Sequence, residues 1–252
     1  YLSDNILLGN LNEMFEEFTK NKYDCMLALS EVKDPERFGV PVFDKDNKLV
    51  DVLEKPENPP NNFAVTGIYL YGPKVFFQAF DHIERSARGE YEISSIHSYL
   101  LKQGKSVGAK EITGWWKDTG KIDDLLIANH LLLEKMDDKD FPNHGTIENG
   151  AQINGNVHVG RGSQISKDVV LKGPTIIGEN CVLKNCIIGP CTSLGSGCDI
   201  NGARIEDSII LDNAEIDTDL FIKDSIIGKN VKFTKKSSDD GRSMVIGDKT
   251  II

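Results

Sequence analysis

The stretch "TIENGAQINGNVHVGRGSQISKDVVLKGPTIIGENCVL", Thr146–Leu183, decides the architecture of half the chain. Aliphatic residues recur in it every six positions, at Ile147, Ile153, Val159, Ile165, Leu171, Ile177 and Leu183. A helix repeats near 3.6 residues and a strand at 2, so neither explains a period of six. Six is the period of a hexapeptide β-helix, in which no coil can bury its apolar face without the next. The pattern continues, at steps of five or six, through Ile188, Leu194, Ile200, Ile205, Ile210, Ile216, Ile222, Ile227 and Phe233. The position two before each aliphatic is nearly always small, as at Ala151, Ser163, Thr175, Cys181, Cys186, Thr192, Cys198, Ala203, Ser208, Ala214 and Ser225. A tight corner requires this; Leu220 is the exception. With three faces per coil the run makes roughly five coils. The tail from Lys235 loses the small-residue rule and is expected to cap the last coil, because open β-edges invite aggregation.

Working upstream, residues 1–135 read as mixed α/β, joined through a polar linker at 136–146 to the repeat domain at 147–252. Leu8, Leu11, Phe15 and Phe18 stand at helical spacing. "CMLALSEV", "FGVPVFD", "KLVDVLEKP" and "FAVTGIYLYG" have strand length, the middle two joined by the turn "KDNK". "KVFFQAFDHI", "EISSIHSYLLKQG" and "KIDDLLIANHLLLEKM" read as helices, and "SVGAKEITGWW" as one strand. Strands alternating with helices imply a largely parallel sheet covered on both faces. Tyr1 and Leu2 read as the end of a buried strand that terminates at Asp4.

Composition narrows the function classes. The 252 residues carry a net charge of −10, and an acidic surface repels phosphate backbones, which argues against nucleic-acid binding. No apolar run approaches the ~20 residues of a membrane-spanning helix. Five cysteines, an odd number with no C-x-x-C, argue against a disulfide framework or a zinc site and suit a cytoplasmic location.

Two carboxylates draw attention. Asp4 and Asp118 each stand where a strand is expected to meet a helix, the place where α/β sheets gather ligand chemistry. Together they suit Mg²⁺, a hard cation that takes few protein oxygens and holds substrate phosphates; each also suits a simple helix cap.

Around them, "YLSDN", "RFGV", "EKP", "AVTGIYLY", "RGEYEIS" and "WWKDTG" occur in the order and approximate spacing of sugar-1-phosphate nucleotidylyltransferases. The chain resembles that family along nearly its whole length, and most closely its glucose-1-phosphate thymidylyltransferases of the long form, which end in a left-handed β-helix. The resemblance implies a partial Rossmann-like nucleotidyltransferase domain followed by that β-helix. It implies dTTP and glucose 1-phosphate as substrates, dTDP-glucose and pyrophosphate as products, and Mg²⁺ held by Asp4 and Asp118. Lys55 would contact the sugar phosphate, and Glu54 would accept hydrogen bonds from sugar hydroxyls. Gly39 would let the sugar approach the backbone, and Val65, Tyr69 and Trp116 would line or flank the pocket. Arg88 is set aside as an effector or subunit contact. The family's G-x-G-T-R loop is not found in these residues, so the chain is expected to be a fragment lacking its nucleotide-binding front and inactive alone.

Alternatives remain open from the residues themselves. Lys55 suits a solvated loop, Tyr69 a core strand and Gly39 a turn. Trp115 and Trp116 point to opposite faces of a strand, so one belongs to a core. The substrate pair of a UDP-sugar pyrophosphorylase would leave the same motifs. A hexapeptide acyltransferase would use a histidine base, for which His158 is the one residue inside the array. The flat faces of the β-helix suit assembly into a homo-oligomer.

Overall fold

Residues 1–234 and 245–248 are described by the computed structural model. The chain divides into two units, Tyr1–Gly120 and Lys121–Ile252. The first contains, in order, β1 (Asn5–Leu8), α1 (Asn12–Asn21), β2 (Cys25–Glu31), β3 (Gly39–Phe43), β4 (Leu49–Glu54), β5 (Phe63–Tyr71), α2 (Val75–Phe80), α3 (Ile93–Lys102), β6 (Val107–Glu111) and β7 (Trp115–Asp118). Five strands form one sheet in the order β4-β3-β5-β2-β6, and β1 pairs with β7 in a separate ribbon.

Only β2 and β6 run parallel; the other pairs in the sheet are antiparallel. The expected largely parallel sheet is therefore corrected. The cause is local, in the turn between β3 and β4. Asp44 Oδ1 accepts the backbone N–H groups of Asp46 and Lys48 at 2.9 Å, and Asn47 takes φ 61°. So tight a turn can join only antiparallel strands.

Both faces of the sheet are covered, as expected. Leu27, Leu29, Val65, Ile96 and Leu100 fill one core; Met14, Met26, Ala28, Ala64, Ile68 and Trp116 fill the other. β2 serves both by alternation, which explains its unbroken apolar run. Burial of each large side chain contributes about 1.5–3 kcal/mol.

Two further expectations change in the ribbon. "SVGAKEITGWW" is two strands, broken at Gly114. There φ is +106° and a Cβ would collide with the Leu8 carbonyl, so the backbone reverses where a side chain has no room. The reversal sends Trp115–Asp118 antiparallel along β1. Tyr1 and Leu2 belong to no strand and are 63% and 42% exposed, so Asp4 precedes β1 rather than ending a strand. Leu2 keeps one strand-like bond, its N–H donating to the Gly67 carbonyl at 2.8 Å.

In the second unit the hexapeptide reading holds. Three parallel sheets of six, six and five short strands wind a solenoid of about five turns, consistent with a left-handed β-helix. Equivalent aliphatics stack coil on coil: Ile147, Ile165, Leu183, Ile200, Ile216 and Phe233 form one column. From Ile165 onward every aliphatic of the period is buried, and so is every small position from Ser163 to Val231. Hydroxyls in those slots bond to corner carbonyls, as Ser163 Oγ to Gly178 O at 2.7 Å and Thr175 Oγ1 to Lys172 O at 2.6 Å, so their burial carries no unpaired donor. All five cysteines are free, four of them in this unit. In the first coil Ile153 remains 42% exposed because no coil covers its outer edge.

Val245–Ile246 adds a parallel strand beside Ile226–Ile227. The rest of the expected cap lies outside the described residues. Helix α4 (Ile122–Lys135) belongs with the solenoid unit. It bonds to the coils. Asn129 Nδ2 donates to the Cys191 carbonyl at 3.1 Å, and Ser193 Oγ donates to Asn129 Oδ1 at 2.6 Å.

Candidate active site

The ribbon brings Asp4 and Asp118 to one end of two neighbouring strands. Asn5 stands opposite Asp118 in the β1–β7 register, and both the N–H and the hydroxyl of Thr119 donate to the Asp4 carbonyl, at 2.7 and 2.8 Å. Each carboxylate uses its Oδ1 within the protein. Asp4 accepts from Asn5 Nδ2 at 2.8 Å, and Asp118 from the Gly120 N–H at 2.7 Å. The donor set is oxygen only, and among the described residues the second oxygen of each has no protein partner. Such a pair fits a hard divalent cation.

Asn5 was not singled out in the sequence, yet it organises this corner. Its side chain is buried; Oδ1 accepts from Trp116 Nε1 at 2.7 Å and from the Gly67 N–H at 3.1 Å, while Nδ2 holds Asp4. Trp116, expected to flank the sugar pocket, packs in the core, edge-on to Phe38 with ring centroids 5.6 Å apart. It reaches the site only through Asn5. Trp115 is the more exposed of the two, as strand alternation requires.

A second group assembles on β3, β4 and β5. Gly39 pairs with Glu54 across one neighbour and with Val65 across the other. A Cβ at Gly39 would meet Val52, Glu54 Oε2 and Val65 at 3.6–3.7 Å, ordinary contact distances. Nothing in the protein demands glycine there, so its effect is to keep open the space bounded by Glu54 and Val65. Lys55 Nζ lies 3.9 Å from Glu54 Oε1, and the Lys55 backbone is left-handed at φ 44°. A non-glycine residue in that region carries about 1–3 kcal/mol of strain, which clusters at functional positions.

Tyr69 lies on β5, the strand that also carries Val65. Burial first, then the Glu54 carboxylate, with Cys25 and Asp4 adding, hold its phenol above the ordinary value. The hydroxyl therefore stays protonated and able to donate at neutral pH. Arg88, set aside in the sequence, lies beside Glu54. Its Nη2 donates to Glu92 Oε1 at 2.7 Å and lies 3.5 Å from Glu54 Oε1. Ser86 Oγ also donates to Glu92 at 2.8 Å, and these bonds hold the Glu92 carboxyl low against its burial. The loop "RSARGEYE" thus places a guanidinium beside the Glu54 carboxylate.

Residues 1–135 match the family model described as nucleotidyl transferase, and residues 172–252 one described as GMPPB C-terminal domain. The chain belongs to the nucleotidyl transferase family. It is 35% identical over 253 residues to a nucleotidyltransferase of low-salt glycan biosynthesis from Haloferax volcanii. It is 33% identical over 250 residues to a glucose-1-phosphate thymidylyltransferase from Streptomyces antibioticus. Each alignment covers 98% of this chain and 69% of the relative. A bifunctional protein GlmU from Methanocaldococcus jannaschii is 36% identical over 257 residues, covering 92% of this chain and 57% of that protein. No helix among the described residues of this nucleotidyl transferase is long and apolar enough to cross a membrane.

Proposed function

We propose that this sugar-1-phosphate nucleotidyltransferase joins dTMP from dTTP to glucose 1-phosphate. A phosphate oxygen of glucose 1-phosphate attacks the α-phosphorus of dTTP; the bond to the β-phosphoryl oxygen breaks and pyrophosphate leaves. The supporting observation is that Asp4 and Asp118 meet at one end of the β1–β7 ribbon, each with a carboxylate oxygen free among the described residues, while Gly39, Glu54 and Lys55 gather on β3 and β4. The Streptomyces relatives named glucose-1-phosphate thymidylyltransferase support the choice of substrates.

Enzymes of this family generally use a divalent metal. Asp4 and Asp118 would hold Mg²⁺, which offsets charge where two polyanions meet. The chain's own residues then bind and orient. Lys55 and Arg88 attract the sugar phosphate, Glu54 accepts from sugar hydroxyls, and the missing side chain of Gly39 lets the ring lie against β3. Tyr69, a protonated phenol, would donate a hydrogen bond to the bound sugar phosphate. Positioning and charge compensation are what this reaction chiefly needs. The solenoid is proposed to serve assembly into a homo-oligomer, checked by sedimentation velocity.

The test is pyrophosphate release with dTTP or UTP and glucose 1-phosphate, measured on these 252 residues, expected to be inactive without a G-x-G-T-R loop, and on a form carrying that loop, in which the variants are read. Asp4→Asn and Asp118→Asn should each lower kcat on the order of 10²–10³-fold. Retention of activity within about fivefold in both variants would overturn the site; preference for UTP would overturn the nucleotide.

A further inference from the structure

One corner of the solenoid departs from the rule that governs the rest. In three successive coils the same corner holds Cys191, Asp207 and Asp224, each left-handed, at φ 52°, 46° and 47°. Aspartate and asparagine tolerate that conformation because a short polar side chain bonds locally; cysteine has no such compensation. Cys191 also lies outside the small-residue series that accounts for Cys181, Cys186 and Cys198. A strained cysteine in a slot suited to aspartate calls for a function.

Helix α4 lies over this corner, pinned by the bonds from Asn129 to the Cys191 carbonyl and Ser193. The next helix residue, His130, is thereby held above the thiol. Its Nε2 lies 4.0 Å from Cys191 Sγ and 3.1 Å from Glu134 Oε1, and its Nδ1 lies 3.8 Å from Asp207 Oδ1. One ligand atom each from His130, Cys191 and Asp207 fall within 4.8 Å of one another. Lys223 faces the other oxygen of Asp207, at 3.7 Å from Oδ2, and leaves Oδ1 toward the imidazole. A depression of about 340 Å³ opens beside the three, giving an ion a way in.

We propose that His130, Cys191 and Asp207 form a binding site for a zinc-type divalent cation, with the fourth position left to water. A nitrogen, a sulfur and a carboxylate oxygen are the mixed set that Zn²⁺ accepts and Mg²⁺ does not. Ligands about 2.0–2.3 Å from a tetrahedral centre stand roughly 3.3–3.6 Å apart. Closing separations of up to 4.8 Å to that range takes shifts of up to about 1.5 Å, and the His130 side chain is 45% exposed. On binding, the Cys191 thiol loses its proton to solvent as the sulfur–metal bond forms. The site clips α4 to the solenoid. It differs in ligand chemistry from the all-oxygen pair Asp4 and Asp118.

The experiment is a titration of chelator-treated protein with Co²⁺, followed by Zn²⁺ competition. The expected result is one equivalent of Co²⁺ giving thiolate-to-cobalt charge-transfer absorption, displaced by Zn²⁺, with a melting temperature raised on the order of 5 °C. Cys191→Ser should abolish the absorption, and His130→Gln and Asp207→Asn should weaken Co²⁺ binding at least tenfold. Metal-free circular dichroism and melting establish that each variant is folded, and the exposed His130→Gln substitution keeps the test decisive if Cys191→Ser is not. Absence of the absorption in the parent protein, its persistence in Cys191→Ser, or His130→Gln affinity within twofold of the parent would overturn the proposal. The Asp4–Asp118 pair cannot mimic the signal, because oxygen ligands give no thiolate band.

Discussion

Removal of the Asn5 side chain should disable the enzyme through its scaffold. In Asn5→Ala the Trp116 Nε1–H and the Gly67 N–H lose the acceptor they share at 2.7 and 3.1 Å, in a region where both residues are buried. A buried donor left without a partner costs about 1–3 kcal/mol, so two together should destabilise the unit Tyr1–Gly120 by about 2–6 kcal/mol. A double-mutant cycle isolates the cause. Trp116→Phe removes the indole donor while keeping an aromatic ring against Phe38. In that background Asn5→Ala strands only the Gly67 N–H, so its cost should fall by about 1–3 kcal/mol. Urea unfolding followed by tryptophan fluorescence reads this unit, since Trp115 and Trp116 are the only two tryptophans. The same substitution frees Asp4 from its 2.8 Å bond, so kcat should drop at least tenfold even in urea-free buffer. A coupling energy below about 0.3 kcal/mol, or a single-variant cost under about 0.5 kcal/mol, would refute the argument that Asn5 holds the corner together.

Other expectations follow from the same geometry. Arg88→Ala should raise KM for the sugar phosphate roughly tenfold with little change in melting temperature, because the guanidinium is itself 46% exposed and Ser86 Oγ still bonds Glu92; an unchanged KM would remove it from the site. Ile205→Ala, in a fully buried solenoid position, should cost about 2–5 kcal/mol, whereas Ile153→Ala, 42% exposed in the first coil, should cost less than about 1 kcal/mol; equal costs would contradict the stacking. Burial pushes His97 down to about 3. A depressed histidine favours its neutral form in the fold, so its effect on stability is absent above the unfolded value near 6.5 and destabilises as pH falls from there toward about 3. Between pH 7 and 5.5 wild type should lose about 1 kcal/mol more than His97→Gln, a variant that retains an acceptor for the Tyr71 hydroxyl; parallel pH profiles would count against it.

The solenoid was legible because one physical rule writes itself into the sequence repeatedly. Each coil must fill the same interior with one aliphatic and one small residue per face, so Leu171, Ile188, Ile205 and Ile222 repeat an identical demand along one column. Even Leu220, the exception in the small series, is buried in its slot. The α/β unit carries no such redundancy. Its element types could be read from local spacing, but strand direction depends on which strands meet across the sheet. "FGVPVFD" and "KLVDVLEKP" showed a turn between them, and that turn should have argued against a largely parallel sheet.

The candidate site divides along the same line. Asp4, Asp118, Gly39, Glu54 and Lys55 were visible because they sit in short motifs whose order a family shares. Asn5 and Arg88 sit in the same motifs, yet their roles come from contacts 62, 111 and 34 positions away in sequence. Those contacts are Gly67 and Trp116 for the first and Glu54 for the second. An asparagine before a strand reads as turn chemistry, and an arginine before Gly-Glu reads as surface charge, until the opposing strand is known. Cys191 was concealed by a different effect: four other cysteines, each explained by burial, made a fifth look ordinary. What set it apart is its left-handed backbone and the histidine that α4 holds above it. The fold leaves a short trace of both in sequence, a cysteine directly after Gly-Pro at a corner where the next two coils carry aspartate. That substitution of sulfur for oxygen in one column is the kind of irregularity that a repeat makes readable, because the repeat states what the residue would otherwise have been.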